Sequence, residues 1–499
     1  MSALPRFGAF PLDDERCEFR VWAPNSASIT VRCGHPSVPG TCLAPVGGGI
    51  HEGTVEATTG QAYVFVLDDG RELPDPCSRF QPDGSHGPSR IVDTSRYEIA
   101  PGPALDRERL VVYELHLGTF SAEGTCDGAV PHLRGLRELG VTAIELMPVA
   151  TFPGNRGWGY DGVYLSAVHP AYGGPDALAR LVAAAHDEDI AVILDVVYNH
   201  LGPGSDAITA FGPYVTDRHE TPWGGAIDFS QPAVREWAIQ NAAMWVEDFG
   251  VDGLRLDAVF AIFDVGPKHV LAELRERLPQ TLLIAEEEVG TATPIEDWGF
   301  DAQWADDFHH ELHVALTGET HGYYGQYGSL EHMARLYERQ PPEKFVYCSQ
   351  NHDQVGNRAA GDRPATDELE LRAHALLFAP HTPLLFMGEE YGERRPFQYF
   401  TDHVDPLIAD ATREGRRREF GFAGDVPDPQ AEQTFLDSKL SREELPGLRE
   451  LYTDLLRLRR ELPPYASALG GDATRIVRVR RGEVELVADF ENRTVEIRR

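Results

Sequence analysis

Between residues 111 and 461, apolar runs of strand length alternate with amphipathic segments of helix length, and that repeated alternation leaves few architectures open. The strand-like runs fall at 111–117, 143–149, 191–197, 253–259, 282–286, 302–306, 345–350 and 384–388. Helical spacing of apolar residues appears at 130–139, 177–187, 232–249, 267–278, 369–378 and 448–461. Eight strands, most followed by a helix, fit a closed (β/α)8 barrel, because open doubly wound sheets usually hold only about five or six. No G-x-G-x-x-G or Walker-type phosphate loop follows any of the runs, which argues further against the open sheet.

The flanks differ in character. Ahead of the barrel, β-like runs at 18–23, 28–32, 51–57 and 62–67 are separated by Gly, Pro and Asp, the spacing of a small β-sandwich. Residues 96–109 are rich in Pro and charge and carry neither periodicity, so they mark a junction. After the barrel, runs at 475–480, 484–490 and 494–498 with turns at Gly482 and Asn492 give a short C-terminal β element. The expected fold class is therefore α/β, a TIM barrel at 101–465 with an N-terminal β-sandwich at 1–100 and a β element at 466–499.

Charge narrows the ligand. Lys plus Arg number 45 against 79 Asp plus Glu, and the net −34 repels phosphate backbones and anionic membranes alike. Lys occurs only at Lys268, Lys344 and Lys439, and no basic cluster alternates with aromatics, so no nucleic-acid partner is expected. No apolar stretch approaches the roughly 20 residues that cross a bilayer, and residues 1–15 lack a basic region followed by an apolar core. Six cysteines with no CxxC pair read as reduced thiols, and the chain is expected to be cytoplasmic.

Catalytic chemistry on a barrel of this type sits at the C-terminal ends of the strands. There the third run closes with Asp195, Tyr198, Asn199 and His200, and the fourth with Arg255 and Asp257. The fifth ends in Glu286, and the seventh runs into Asn351, His352 and Asp353. Carboxylates, imidazoles and a guanidinium converging on one rim suit glycosidic cleavage, which needs one acid for the leaving oxygen and one carboxylate for the oxocarbenium-like centre. Asp306, Asp307, His309 and His310 lie close together, but adjacent residues on a regular element point in different directions, so neither a metal nor a cofactor is expected.

Asp195-Val-Val-Tyr-Asn-His200, Gly253-Leu-Arg-Leu-Asp257, Glu286 after Ile284-Ala285, and Asn351-His-Asp353 resemble the four signature segments of the α-amylase clan, glycoside hydrolase family 13. The resemblance implies Asp257 as nucleophile, Glu286 as general acid/base and Asp353 as the carboxylate that orients sugar hydroxyls. It implies that His200 and His352 hydrogen-bond the sugar, that Tyr160 of Gly157-Trp-Gly-Tyr-Asp161 stacks on its ring, and that Asp161 joins this binding set. Arg255 would keep Asp257 ionised, and Asp195 would support its strand end. Trp304 and Asp306 are read as lining the sugar cleft, with Trp158, Trp223 and Tyr391 as stacking faces. A retaining mechanism follows if the Asp257 and Glu286 carboxyls stand roughly 5–5.5 Å apart.

Segments outside the signatures, at 112–120, 211–223, 301–310, 350–358 and 386–392, resemble the maltooligosyltrehalose trehalohydrolase family, as do 19–24 and 74–79 in the sandwich. That resemblance implies hydrolysis of the α-1,4 bond joining a terminal trehalose to a maltooligosaccharide, with a branching enzyme or α-amylase of the same clan as the alternative. The chain departs from the pattern in a short stretch between Tyr327 and Phe345, in its abbreviated C-terminal element, and in the run Glu286-Glu-Glu288. Glu286 is assigned by motif position, with Glu288 left as the other candidate donor.

Overall fold

The computed structural model describes residues 4–221, 223–420 and 426–499; Met1 to Ala3 of the N-terminal stretch and Pro222 of the 211–223 segment lie outside them. Eight parallel strands close a barrel in sequence order: β1 (Val112–Leu115), β2 (Ala143–Leu146), β3 (Ala191–Val196), β4 (Gly253–Leu256), β5 (Leu282–Ala285), β6 (Ala302–Trp304), β7 (Phe345–Cys348) and β8 (Thr382–Phe386), with β8 pairing back to β1. Each strand is buried on both faces, as a sheet wrapped by helices requires. Alternation divides the apolar residues into two cores. Val112, Ala143, Ile193, Ile284, Trp304 and Cys348 fill the interior, while Ile144, Val192, Leu254 and Leu256 face the helices.

The same alternation decides where charge goes. Glu114, Glu145, Asp195 and Arg255 share the parity of the interior set, and each is 2% exposed or less. They form the upper layer of the barrel interior. Register places Glu114 beside Glu145 and Asp195 beside Arg255.

The helices expected at 232–249, 369–378 and 448–461 are present with those bounds, the one at 177–187 begins earlier, at Gly174, and the other two are shortened. Residues 130–139 split into a 3-10 turn, Val130–His132, with Pro131 near its start, and an α-helix, Leu133–Leu139. The 267–278 helix begins only at Val270, whose N–H is taken by Asp264 Oδ2 at 2.7 Å. Two helices that periodicity did not reveal, Asp307–Thr317 and Leu330–Tyr337, complete the connection from β6 to β7.

The N-terminal region forms two sheets, one of strands 8–11, 16–22, 50–56 and 44–47, the other built on 30–33 and 62–66. Phe19 joins them, its ring 5.1 Å from Tyr63 and 6.4 Å from Phe65, both edge-on. The sandwich docks on the barrel through Trp22 against Tyr214 (5.2 Å) and Phe65 against Phe211 (6.1 Å). Strands 8–11 and 44–47 were missed in the sequence because both are short and interrupted by Gly or Pro.

The C-terminal sheet has four antiparallel strands rather than three. The extra strand, Ser467–Gly471, lacks the β-branched residues that mark its neighbours. Its glycines serve packing: a Cβ on Gly470 would stand 1.8 Å from the Leu330 carbonyl oxygen, so only Gly lets this strand approach the Leu330–Tyr337 helix. All six cysteines are unpaired, and among the described residues no helix is long and apolar enough to cross a membrane.

Candidate active site

Arg255 organises the rim. Its Nη1 donates to Asp195 Oδ2 (2.8 Å) and Asp257 Oδ1 (3.0 Å), while Nη2 donates to Glu286 Oε2 (2.8 Å). The guanidinium is wholly buried and lies 4.1 Å over the Trp304 ring. Burial opposes its charge, yet Asp195, Glu286 and Asp257 together hold it firmly protonated. Asp257 and Glu286 are therefore brought to neighbouring nitrogens of one fork.

Each carboxylate has a second anchor. Asn199 Nδ2 donates to Asp257 Oδ2 at 2.8 Å and to the Asp257 carbonyl at 3.0 Å. Ala258 donates its N–H to Glu286 Oε2 at 2.9 Å. Ala258 adopts φ 39°, a left-handed conformation uncommon for a residue with a Cβ, and that strain sits between the two carboxylates it serves.

Burial raises the Glu286 carboxyl to about 8, with the negative charges of Asp257 and Asp353 adding to it and Arg255 opposing. Glu286 is thus a proton-bearing acid at neutral pH. Asp195, fully buried, is likewise pushed up to about 7 against the pull of Arg255. Glu288 is exposed beyond the end of β5, and its backbone N–H donates to the Glu287 carboxylate. Geometry brings Glu286, not Glu288, to Arg255.

Asp353 follows β7 in a short helix, His352–Gly356, capped by the Asn351 side chain. It stays partly open to solvent and accepts from Asn357 Nδ2 at 2.9 Å. Asp306, at the end of β6, is pushed up to about 7 by burial and by the Asp353 charge. Tyr160 donates to Asp195 Oδ2 at 2.7 Å and stacks on the His352 ring at 5.0 Å. His200 is buried beside Asn199 and stacks on Trp223, which is half exposed; burial lowers its pKa, with Asp257 and Asp161 opposing. Asp161 lies 3.9 Å from His403 Nε2.

Several expected roles change in the structure. Trp304 is 4% exposed and packs under Arg255, so it cannot line a sugar cleft. Trp158 is buried against Phe397 with Nε1 donating to the Gln398 carbonyl, and Tyr391 is wholly buried, so neither presents a stacking face. His352 is 2% exposed with Nδ1 on Glu114 and Nε2 on Tyr160 and Asp353, leaving a sugar hydroxyl little access to its ring. His309 stacks on His313 within the Asp307–Thr317 helix, and among the described residues no group of three His, Cys, Asp or Glu is arranged to hold a metal.

Glu114 went unassigned in the sequence, as did the anchoring part played by Asn199. The signal was available for the first: Val112-Tyr-Glu-Leu115 puts a charge at an interior position of an apolar strand. Gly202 is a third such residue. A Cβ there would stand 1.9 Å from the Asp161 carbonyl oxygen, so the loop after β3 and the loop carrying Tyr160 are in backbone contact. Gly202→Ala is expected to lower kcat/KM by about tenfold through displacement of Tyr160 and His200, as small misplacements in a site do; steady-state kinetics beside an unfolding curve separate this from loss of fold.

The geometry has close counterparts among known proteins. A family model, alpha amylase catalytic domain, matches residues 86–217. A malto-oligosyltrehalose trehalohydrolase from Saccharolobus solfataricus is 40% identical, over 91% of this chain and 86% of its own length. One from Deinococcus radiodurans is 42% identical, over 92% of this chain and 83% of its own. The chain belongs to the malto-oligosyltrehalose trehalohydrolase family. A crystal structure of a candidate alpha amylase from Salmonella typhimurium superposes with a TM-score of 0.89 at 36% identity, covering 96% of this chain and 92% of that one. The match to the trehalohydrolases extends well beyond the segment that the amylase model covers.

Proposed function

We propose that this protein hydrolyses the α-1,4 bond next to the terminal trehalose of maltooligosyltrehalose, releasing trehalose and a shortened maltooligosaccharide. The observation that carries the reading is the Arg255 fork, which holds Asp257 beside a protonated Glu286. The names of its trehalohydrolase relatives support the substrate.

In this reading Asp257 attacks the anomeric carbon and the bond to the trehalose oxygen breaks as Glu286 delivers its proton there. The covalent glycosyl-enzyme is then opened by water, whose proton returns to Glu286. Asp353 orients the ring hydroxyls, with Asp306 beside it. Trp223, Tyr160, His200 and Asp161 complete the sugar-facing rim. The same reading takes residues 1–100, 101–465 and 466–499 as three domains and the cytoplasm as the place of action.

Incubation with maltooligosyltrehalose followed by chromatography tests it. Trehalose and a shortened maltooligosaccharide are expected; maltose without trehalose, or elongated glucans, would overturn the substrate. The first anomer of the new reducing end, read by proton NMR, is expected to be α, and β would overturn retention.

Glu286 acts in its protonated form, so kcat is expected to fall as pH rises through about 8, and this alkaline limb should vanish in Glu286→Gln. A flat profile to pH 9.5 would remove Glu286 from the acid role.

A further inference from the structure

Two glutamates lie side by side in the barrel interior, and only one of them has work that the structure shows. Glu114 on β1 and Glu145 on β2 are register neighbours, each 1% exposed. Glu114 spends both oxygens on one residue: Oε2 accepts the His352 backbone N–H at 2.9 Å, and Oε1 lies 2.6 Å from His352 Nδ1. Among the described residues, neither carboxyl oxygen of Glu145 meets a donor. Adjacent buried carboxyls cannot both ionise, so the charge stays on the partnered one. Burial and the Glu114 charge hold Glu145 as the neutral acid.

Hydrogen-bond counting then fixes the state of His352. Nδ1 faces a carboxylate oxygen, which only accepts, so Nδ1 carries a proton. Nε2 lies 2.8 Å from Tyr160 Oη, whose own proton goes to Asp195 Oδ2, and 3.4 Å from Asp353 Oδ2. Both neighbours of Nε2 accept, so Nε2 carries a proton too. We infer that Glu114 is a positioning residue that holds His352 as an imidazolium, fixing one ring N–H on Tyr160 and on the sugar-orienting Asp353. The assignment of Asp353 rests on the function proposed above; the charge state of His352 does not.

The groups around His352 agree. Glu114 comes from β1, Glu145 from β2, Asp195 from β3, Arg255 from β4, Asp306 from the end of β6, Asp353 from its own helix, and His116 follows β1. Burial and Arg255 oppose a positive ring, but Asp353 and Glu114 outweigh them and raise it to about 10. His116, buried and lowered to about 3, adds no charge.

Nitrogen-15 NMR of histidine-labelled full-length enzyme at pH 8 tests this directly, with His352 assigned from the spectrum of His352→Gln. Two protonated ring nitrogens are expected; a neutral tautomer overturns the inference whether or not trehalose is the product. Glu114→Gln should lower the pH at which His352 loses its proton, so that kcat falls about 10- to 100-fold more than in the parent between pH 5.5 and 8.5 while KM changes less than about threefold. Glu145→Gln, a neutral copy of a neutral acid, should keep kcat within about twofold of the parent. An unchanged profile in Glu114→Gln, or an equal loss in Glu145→Gln, overturns the assignment, and the NMR of the parent enzyme decides the matter if Glu114→Gln does not fold.

Discussion

Asp257→Asn is expected to lower kcat by at least about 10⁴-fold with little change in affinity for maltooligosaccharides, because an amide cannot form the glycosyl-enzyme bond. The substitution is nearly isosteric. The amide oxygen can still accept from Arg255 Nη1, and the guanidinium keeps its bonds to Asp195 and to Glu286, so the fork stays anchored. Loss of turnover therefore reports chemistry rather than collapse, provided that calorimetric binding of a maltooligosaccharide persists. Glu286→Gln should separate from it by leaving-group dependence. Without a proton donor, an alkoxide leaving group slows by about 10²–10⁴-fold, whereas an α-maltosyl fluoride needs no proton and is spared. Glu288→Gln should be silent on both substrates, since Glu288 is exposed and away from the fork. Residual turnover of Asp257→Asn above about 1% would mean that another carboxylate attacks.

What the sequence revealed of this site came from two sources. Eight apolar runs gave the barrel and, with its strand boundaries, a rim of polar residues; resemblance to the signature segments of the α-amylase clan then singled out Asp257, Glu286 and Asp353. The strand-end rule is local. It failed where tertiary contact decides. Trp304 at a strand end looks like a cleft residue, yet its parity turns it inward under Arg255. Trp158 and Tyr391 sit in loops whose paths no local pattern encodes, and Phe397 and Glu393 hold them inside. Glu114 lay hidden for the opposite reason, inside a strand rather than at its end, where a lone charge marks a partner from across the barrel. Ser467–Gly471 escaped because its strand is set by the Leu330–Tyr337 helix beside it, not by its own residues.

The same charge layer makes Arg255→Met a strongly destabilising substitution. Met fills similar volume but leaves Asp195, Asp257 and Glu286 without the guanidinium they share, at a position where Arg255 and Asp195 are wholly buried. Removing one partner of a buried ion pair costs about 3–5 kcal/mol, and here one cation serves three carboxylates. The carboxyls respond by taking up protons, which gives the effect a sign in pH. Asp195 and Glu286 are already raised above their unfolded values, to about 7 and about 8, by burial, with Arg255 restraining the rise. Without Arg255 they rise further, so the folded state binds more protons than the unfolded chain and stability falls as pH increases. The deficit against the parent should therefore be small near pH 5, where protonated carboxyls need no cation, and largest near pH 8. Urea unfolding of both proteins at the two pH values measures it, and equal deficits at pH 5 and 8 would show that Arg255 contributes volume rather than charge. Arg255→Lys should recover part of the stability but little activity, because one ammonium on a flexible stem cannot present the planar fork that sets Asp257 beside Glu286.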